Sequence, residues 1–143
     1  MFHAKNYIKV TSLEEAYELN QKKSNAIIGG MLWLKMGNRN MQTAIDLSGL
    51  GLDQIEEQED AFSIGCMCTL RQLEMHEALN LYFGGAMKAC TRHIVGTQFR
   101  NGATVGGSIF GRFGFSDILT CLLALDTYVE LYHAGVIALS EFV

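Results

Sequence analysis

The chain has 143 residues, enough for one domain or for two small lobes that share a ligand. Hydrophobic residues make up 49% and charged residues 18%, which is typical of a globular protein and excludes a disordered one. The formal net charge is -4 and no basic run occurs, so we expect no nucleic-acid partner, and an anionic ligand would be bound mainly by backbone N–H groups.

The first third of the chain has the pattern of a small α/β lobe. Ser12 is predicted to cap a helix that ends near Asn20, with Glu15 completing a capping box. Short strands are predicted over residues 7–10, 26–28 and 44–47. The second of these strands runs directly into Gly29-Gly30. The glycine-rich and then acidic segment 48–60 predicts a solvated loop, where a boundary between lobes can lie.

The rest of the chain alternates short strands with helices. Strands are predicted over residues 62–68, 103–109, 127–132 and 136–139. Helices are predicted from the Thr69/Gln72 capping box through Leu73, over residues 87–94, and over residues 118–123 after a Ser116 cap. His133-Ala134-Gly135 suits a hairpin turn. The fold is therefore predicted to be α+β, with lobe 1 at about residues 1–58 and lobe 2 at about residues 59–143.

Two familiar motifs begin in the sequence but are not completed. Gly49-Leu50-Gly51 starts like a dinucleotide-binding fingerprint, but Gln54 occupies the position of its third glycine. Gly114-Phe115-Ser116 starts like a nucleophile elbow, but Ile118 occupies its last position. The sequence therefore supports neither a Rossmann site nor a serine nucleophile, and no residue is predicted to be catalytic.

The cysteines and histidines do not have the spacing of a metal site. The four cysteines are Cys66, Cys68, Cys90 and Cys121, and they contain no C-x-x-C pair. We expect reduced thiols in a cytoplasmic protein, with Cys66 and Cys68 on the same face of a strand. The longest apolar run, residues 118–125, is too short to span a bilayer, and we expect no signal peptide.

Two glycine-containing segments are candidate anion sites. The first, residues 27–33, takes a strand into Gly29-Gly30, and the second, residues 100–109, contains Gly106-Gly107. Glycine lets the backbone approach a ligand closely, and consecutive N–H groups can form an anion-binding nest. Two nests could bind a diphosphate, and we expect a positive φ at Gly107. Either segment alone could equally be a tight turn or a bulge.

Together and in this order, the segments resemble the FAD-binding domain of the xanthine dehydrogenase and carbon monoxide dehydrogenase family. The shared pattern is Gly29-Gly30 after a strand, then Ile64-Gly65 with Thr69-Leu70, then Arg-Asn-x-Ala-Thr-Val-Gly-Gly from Arg100, then Ser116-Asp117. The resemblance covers nearly the whole chain. It implies two small α/β lobes of the type found in PCMH-like, CO dehydrogenase flavoprotein domains.

The resemblance also implies which residues contact FAD. A first loop around the diphosphate would comprise Ile27, Ile28, Gly29, Gly30, Met31, Leu32 and Trp33. A second loop, at the diphosphate and the ribityl chain, would comprise Thr104, Val105, Gly106, Gly107 and Ser108. Ile94 would make an apolar contact with the cofactor, and Asp117 would accept hydrogen bonds from its ribityl or ribose hydroxyls.

Electron transfer through FAD is the function that the resemblance implies. Electrons would come from iron–sulfur clusters in a partner subunit and pass to NAD, a quinone or another acceptor. A separate molybdopterin-containing large subunit would act on the substrate. The family's domain continues beyond the point that Val143 matches, so the resemblance implies that lobe 2 is incomplete.

Several positions depart from the family pattern and leave an alternative open. Met31 replaces a common threonine, Ser108 replaces an asparagine or aspartate, and Gly114 replaces a proline. Three phenylalanines crowd the segment before Asp117, where they could cover the isoalloxazine ring or form an apolar plug: Phe110, Phe113 and Phe115. The alternative is a flavin-free scaffold or assembly remnant of the same fold.

Overall fold

A three-stranded parallel sheet forms at the start of the chain. The computed structural model describes residues 1–143. Its first elements are β1 (His3–Lys9), α1 (Leu13–Asn20), β2 (Asn25–Ile28) and β3 (Asn40–Asp46). The strand order is β1-β3-β2, and Ile45 of β3 pairs with Ile8 on one side and Ile27 on the other. The predicted sequence of strand, helix, strand, loop and strand is confirmed.

The cap of α1 shows why this helix begins where the sequence predicts. The Glu15 N–H donates to Ser12 Oγ at 3.1 Å, and Glu15 Oε2 accepts from the Thr11 N–H at 2.8 Å. The reciprocal bond of the capping box therefore closes on Thr11, one residue before the cap. The two bonds give acceptors to the Thr11 and Glu15 amides and fix the first turn of the helix.

Short antiparallel strands and short helices make up the remainder. They are β4 (Ile55–Glu57), β5 (Phe62–Ile64), α2 (Leu70–Met75), α3 (Glu77–Tyr82), α4 (Ala86–Thr91), α5 (Thr97–Gly102), α6 (Val105–Phe110), α7 (Asp117–Leu123), β6 (Tyr128–Leu131), β7 (Gly135–Ala138) and α8 (Leu139–Phe142). β4 pairs with β5, and β6 pairs with β7 through the predicted hairpin turn. The α+β class is confirmed. Because the β4–β5 turn spans the predicted lobe boundary near residue 58, the two-lobe division stays a prediction.

One predicted strand segment is wrong, and another is confirmed only over its first three residues. Residues 105–110 form α6, because the Thr104 side chain caps this helix by accepting from the Gly107 N–H at 3.2 Å. β5 ends at Ile64, and the chain then turns, with the Cys68 N–H donating to the Gly65 carbonyl at 3.0 Å. Cys68 is buried and Cys66 is exposed, so the two thiols do not share a strand face.

The largest core lies among the helices of the second part of the chain. Its fully buried members come from several helices and include Leu73, Leu79, Met87 and Ile118. A smaller cluster with Val10 and Ile45 packs α1 against the sheet. The carboxyl ends of the three parallel strands lie at one edge, the usual place for ligands in open α/β sheets, and β2 leads there into Gly29. None of the helices has the length and apolar character needed to cross a membrane.

Candidate functional site

The segment after β2 carries a run of backbone N–H groups without a protein partner. The amides from Gly29 to Leu34 donate to no backbone or side-chain acceptor, although Lys35 and Met36 donate back to the Met31 and Trp33 carbonyls. Met31 has φ 60°, a left-handed conformation that is uncommon for a residue other than glycine. Successive amides around such a residue can form an anion-binding concavity. This segment therefore has the donors that the sequence predicts for it.

The two glycine-containing segments predicted from the sequence lie against each other. A Cβ atom added to Gly29 would lie 2.6 Å from Thr104 Oγ1, and one added to Gly30 would lie 1.5 Å from the Gly102 carbonyl oxygen. A Cβ atom added to Gly102 would lie 2.9 Å from Leu32 Cδ2. These glycines are needed because one piece of protein backbone meets another there. We expected them to make room for a ligand, so this part of the interpretation changes.

The second segment differs from the nest that we expected. The Val105 and Gly106 amides donate to the Cys68 and Cys66 carbonyls at 2.8 and 2.9 Å, and the Gly107 amide donates to Thr104 Oγ1. Gly107 lies within α6 and does not have the positive φ that we expected. Because these amides already have acceptors, this segment does not form a second set of free donors. It places the Thr104 hydroxyl, at the start of helix α6, against the first loop.

Ser108 and Gly106 are held by the same local packing. The Ser108 hydroxyl donates to the Thr104 carbonyl at 2.8 Å, so this side chain is turned back onto its own helix. A Cβ atom at Gly106 would lie 2.7 Å from both Cβ and the carbonyl oxygen of Cys66. Gly106 thus allows the contact between α6 and the turn before α2, whereas the Ser108 hydroxyl is engaged at the start of α6.

An aromatic cluster joins the first loop to the segment before α7. The ring of Trp33 lies 6.1 Å from that of Phe113 and 6.0 Å from that of Phe115, and the two phenylalanine rings stack at 5.1 Å. Trp33 is 54% exposed and Phe115 is 68% exposed. Flat aromatic faces are therefore open to a ligand beside the free amides. Phe110, which is also exposed, carries the Arg112 guanidinium 5.8 Å from its ring centre.

Asp117 and Ile94, the two other predicted cofactor contacts, lie on α7 and between α4 and α5. Asp117 is exposed at the first position of α7, whose cap is Ser116 Oγ accepting from the Leu119 N–H at 3.2 Å. A carboxylate at this position also interacts favourably with the helix dipole. Ile94 is half-buried between α4 and α5, packed against the large core.

A buried ion pair between α2 and α5 was not predicted from the sequence. Arg100 of α5 donates from Nε to Glu74 Oε2 of α2 at 2.8 Å, and Arg71 also reaches Glu74 at 2.9 Å. The hydrogen bond from Arg100 holds the pKa of Glu74 below its usual range. Arg100 stood within the predicted second segment, but no signal in the sequence pairs it with a carboxylate 26 residues away.

The thiols have the properties of structural cysteines. All four are free, and burial together with neighbouring Cys121 raises the pKa of Cys90 to about 12. A thiol with so high a pKa is a poor nucleophile at neutral pH. No group of three or more histidine, cysteine, aspartate or glutamate side chains is placed to hold a metal ion.

A family model matches nearly the entire chain. The model is described as the FAD-binding domain in molybdopterin dehydrogenase, and it matches residues 2–143. Among curated proteins, the chain is 24% identical over 140 residues to the uncharacterized protein YgfM of Escherichia coli strain K12. That alignment covers 95% of this chain and 52% of YgfM.

Solved structures with the same fold include two enzymes. Quinoline 2-oxidoreductase from Pseudomonas putida 86 matches with a TM-score of 0.86 and 20% identity, over 99% of this chain and 53% of the other. Carbon monoxide dehydrogenase from Hydrogenophaga pseudoflava matches with a TM-score of 0.81 and 20% identity, over 96% of this chain and 50% of the other. The chain thus spans about half the length of the relatives that it matches.

Proposed function

The chain belongs to the family of FAD-binding domains of molybdopterin dehydrogenases, and we propose that it is an electron-transfer module that binds FAD between its two predicted lobes. The diphosphate would lie at the amides of Gly29–Leu34, beside Thr104 and the first turn of α6. Bound FAD would supply the redox chemistry, because no side chain at the site is placed as an acid or base for a substrate. The protein's part is to bind, orient and shield the cofactor.

The free amides of the first loop are the observation that carries this proposal. FAD is the cofactor of the family, and its diphosphate needs several hydrogen-bond donors. The amides from Gly29 to Leu34 have no acceptor within the protein, and hydrogen bonds from N–H groups to a charged acceptor are worth about 1.5–3 kcal/mol each. Binding through amides also suits a chain with net charge -4 and no basic run.

The other predicted contacts complete the proposed site. Thr104 would offer its hydroxyl next to Gly29, and Asp117 would accept hydrogen bonds from ribityl or ribose hydroxyls. Ile94 would pack against the flavin, and the exposed rings of Trp33 and Phe115 would stack on a flat part of the cofactor. The departures from the family pattern at Met31, Ser108 and Gly114 leave the first-loop amides in place.

The electron path and the partners form a wider part of the same proposal. Electrons would reach FAD from iron–sulfur clusters in a partner subunit and leave to NAD, a quinone or another acceptor. A molybdopterin-containing large subunit would carry out the reaction on the substrate. We place this assembly in the cytoplasm, because four free cysteines suit a reducing compartment.

Trp33 gives a direct measurement of cofactor binding. It is the chain's single tryptophan and lies in the first loop with 54% of its surface exposed. We expect added FAD to quench its fluorescence saturably and to shift the flavin absorption bands. FMN lacks the diphosphate bridge and the adenosine, so it should make fewer hydrogen bonds with the loop amides and bind at least about tenfold more weakly. A tenfold difference corresponds to about 1.4 kcal/mol.

The control for this titration is Trp33→Phe, which removes the fluorescence signal but should still shift the flavin absorption. If FAD changes neither the fluorescence nor the absorption of the folded protein, the proposed function is wrong. That outcome would favour the alternative of a flavin-free scaffold or assembly protein.

Removal of the Asp117 carboxylate should weaken FAD binding moderately. We expect Asp117→Ala to lose about 1–3 kcal/mol, which is the cost of leaving a polar partner unsatisfied. The matched control is Asp126→Ala, because Asp126 is an exposed aspartate just beyond the other end of α7. Equal dissociation constants for FAD in both variants, measured by titration, would place Asp117 outside the site.

A further inference from the structure

Glu74 and Arg100 form a two-point ion pair inside the helical core. Arg100 Nε lies 2.8 Å from Glu74 Oε2, and Arg100 Nη2 lies 3.4 Å from Glu74 Oε1. Only 6% of the arginine side chain and 7% of the glutamate side chain are exposed. The pair joins α2 to α5.

The remaining donors of Arg100 hold the segment that precedes α5. Nη1 donates to the Ile94 carbonyl at 3.2 Å, and Nη2 donates to Thr97 Oγ1 at 3.4 Å. Between them, Val95 is held at φ 52°, a conformation that a β-branched residue rarely adopts. The guanidinium therefore fixes a strained turn that carries Ile94, a predicted cofactor contact.

The other end of α5 supports the first loop. Gly102 is the last residue of this six-residue helix, and its carbonyl oxygen lies where a Cβ atom at Gly30 would be, 1.5 Å from that position. Leu32 also lies close to Gly102. Because Arg100 and Gly102 are two residues apart in the same short helix, a shift at Arg100 would move Gly102 and, with it, the backbone of the first loop.

We propose that Glu74 and Arg100 are positioning residues for the FAD site, which orient Ile94 and the first loop without touching the cofactor. This inference rests on the proposed function. A planar guanidinium can meet a carboxylate, a carbonyl and a hydroxyl at once, which neither lysine nor an apolar side chain can do. Stability alone does not require the pair, since apolar residues of similar volume often replace a buried ion pair without loss.

The test compares FAD affinity with stability in two variants of the pair. The double variant Glu74→Leu/Arg100→Met fills the same space with apolar groups and should fold, and Arg100→Lys keeps the charge but loses the fork. We expect the dissociation constant for FAD to rise about tenfold in Arg100→Lys and about 30-fold or more in the double variant. The double variant loses more because no hydrogen bond of the guanidinium then remains to orient Ile94 and, through α5, the first loop. The titration signal is Trp33 fluorescence, checked by flavin absorption.

The matched control is Leu79→Ala, a fully buried position on α3 in the same core. It should lower the unfolding temperature and leave the dissociation constant for FAD unchanged below that temperature. Parent-like FAD affinity in the folded double variant overturns the inference, and so does an equal loss of affinity in Leu79→Ala. If the double variant does not fold, the affinity of Arg100→Lys decides. If the parent protein itself binds no FAD, the proposed function fails first, which distinguishes the two failures.

Discussion

Gly30→Ala is expected to destabilise the protein by about 3 kcal/mol or more and to abolish FAD binding, because one methyl group has no room there. Its Cβ atom would lie 1.5 Å from the carbonyl oxygen and 2.4 Å from the carbonyl carbon of Gly102. These are backbone atoms at the end of α5, so no side chain can rotate away. Either the first loop, which carries proposed cofactor contacts, or α5, which packs against that loop, must move.

Urea unfolding and FAD titration of the same preparation measure the two effects of this substitution. The matched control is Gly37→Ala, three residues after the free amides, where a Cβ atom would meet only the Leu34 carbonyl oxygen at 3.5 Å. That variant should stay within about 1 kcal/mol of the parent in unfolding free energy. A Gly30→Ala protein with the parent's stability and FAD affinity would contradict the contact between the two segments.

Arg100→Met alone is expected to lower the free energy of unfolding by about 3–5 kcal/mol, the usual cost of leaving one member of a buried ion pair without its partner. Glu74 is 6% exposed and would keep only Arg71, whose side chain is 33% exposed. The double variant Glu74→Leu/Arg100→Met should recover most of the loss, because no buried charge remains. Denaturant unfolding of the single and double variants measures this difference.

Acid should remove the same stabilisation in the parent protein. The hydrogen bond from Arg100 holds the pKa of Glu74 below its usual range, so the folded state binds this proton less readily than the unfolded state. The contribution is complete above the unfolded pKa of about 4.3 and is lost as the pH falls through the lowered folded pKa. In the double variant this portion of the acid dependence should be missing. A single variant as stable as the double one would contradict the role of the pair.

Local signals were enough to predict many of the elements. Three helices begin where the sequence places them, after Ser12, Thr69 and Ser116, because each of these caps depends on residues three positions apart. The parallel strands and the final hairpin were also recognisable from short apolar runs and turn residues. The ordered set of glycine segments predicted the FAD-binding family, which the family match confirms.

For other short apolar runs, the sequence did not show whether a strand or a helix forms. The segment 103–109 fits a strand pattern, yet Thr104 bridges to Thr69 and caps α6, so the chain leaves the strand conformation after one residue. α3 and α5, six residues each, were not predicted. Helices this short are held by tertiary contacts more than by their own propensity, so local sequence carries little information about them.

The sequence by itself determined the fold class, the family and the two segments that meet at the site, because these depend on residue types in a fixed order. Only the tertiary structure decided what those residues do. It shows that Gly30 is a glycine because Gly102 lies against it, and that the amides after Val105 are engaged while those after Gly29 are free. It also pairs Arg100 with Glu74. Each of these depends on which backbone and side-chain atoms become neighbours across many residues, and that is set by packing of the whole chain and not by local sequence.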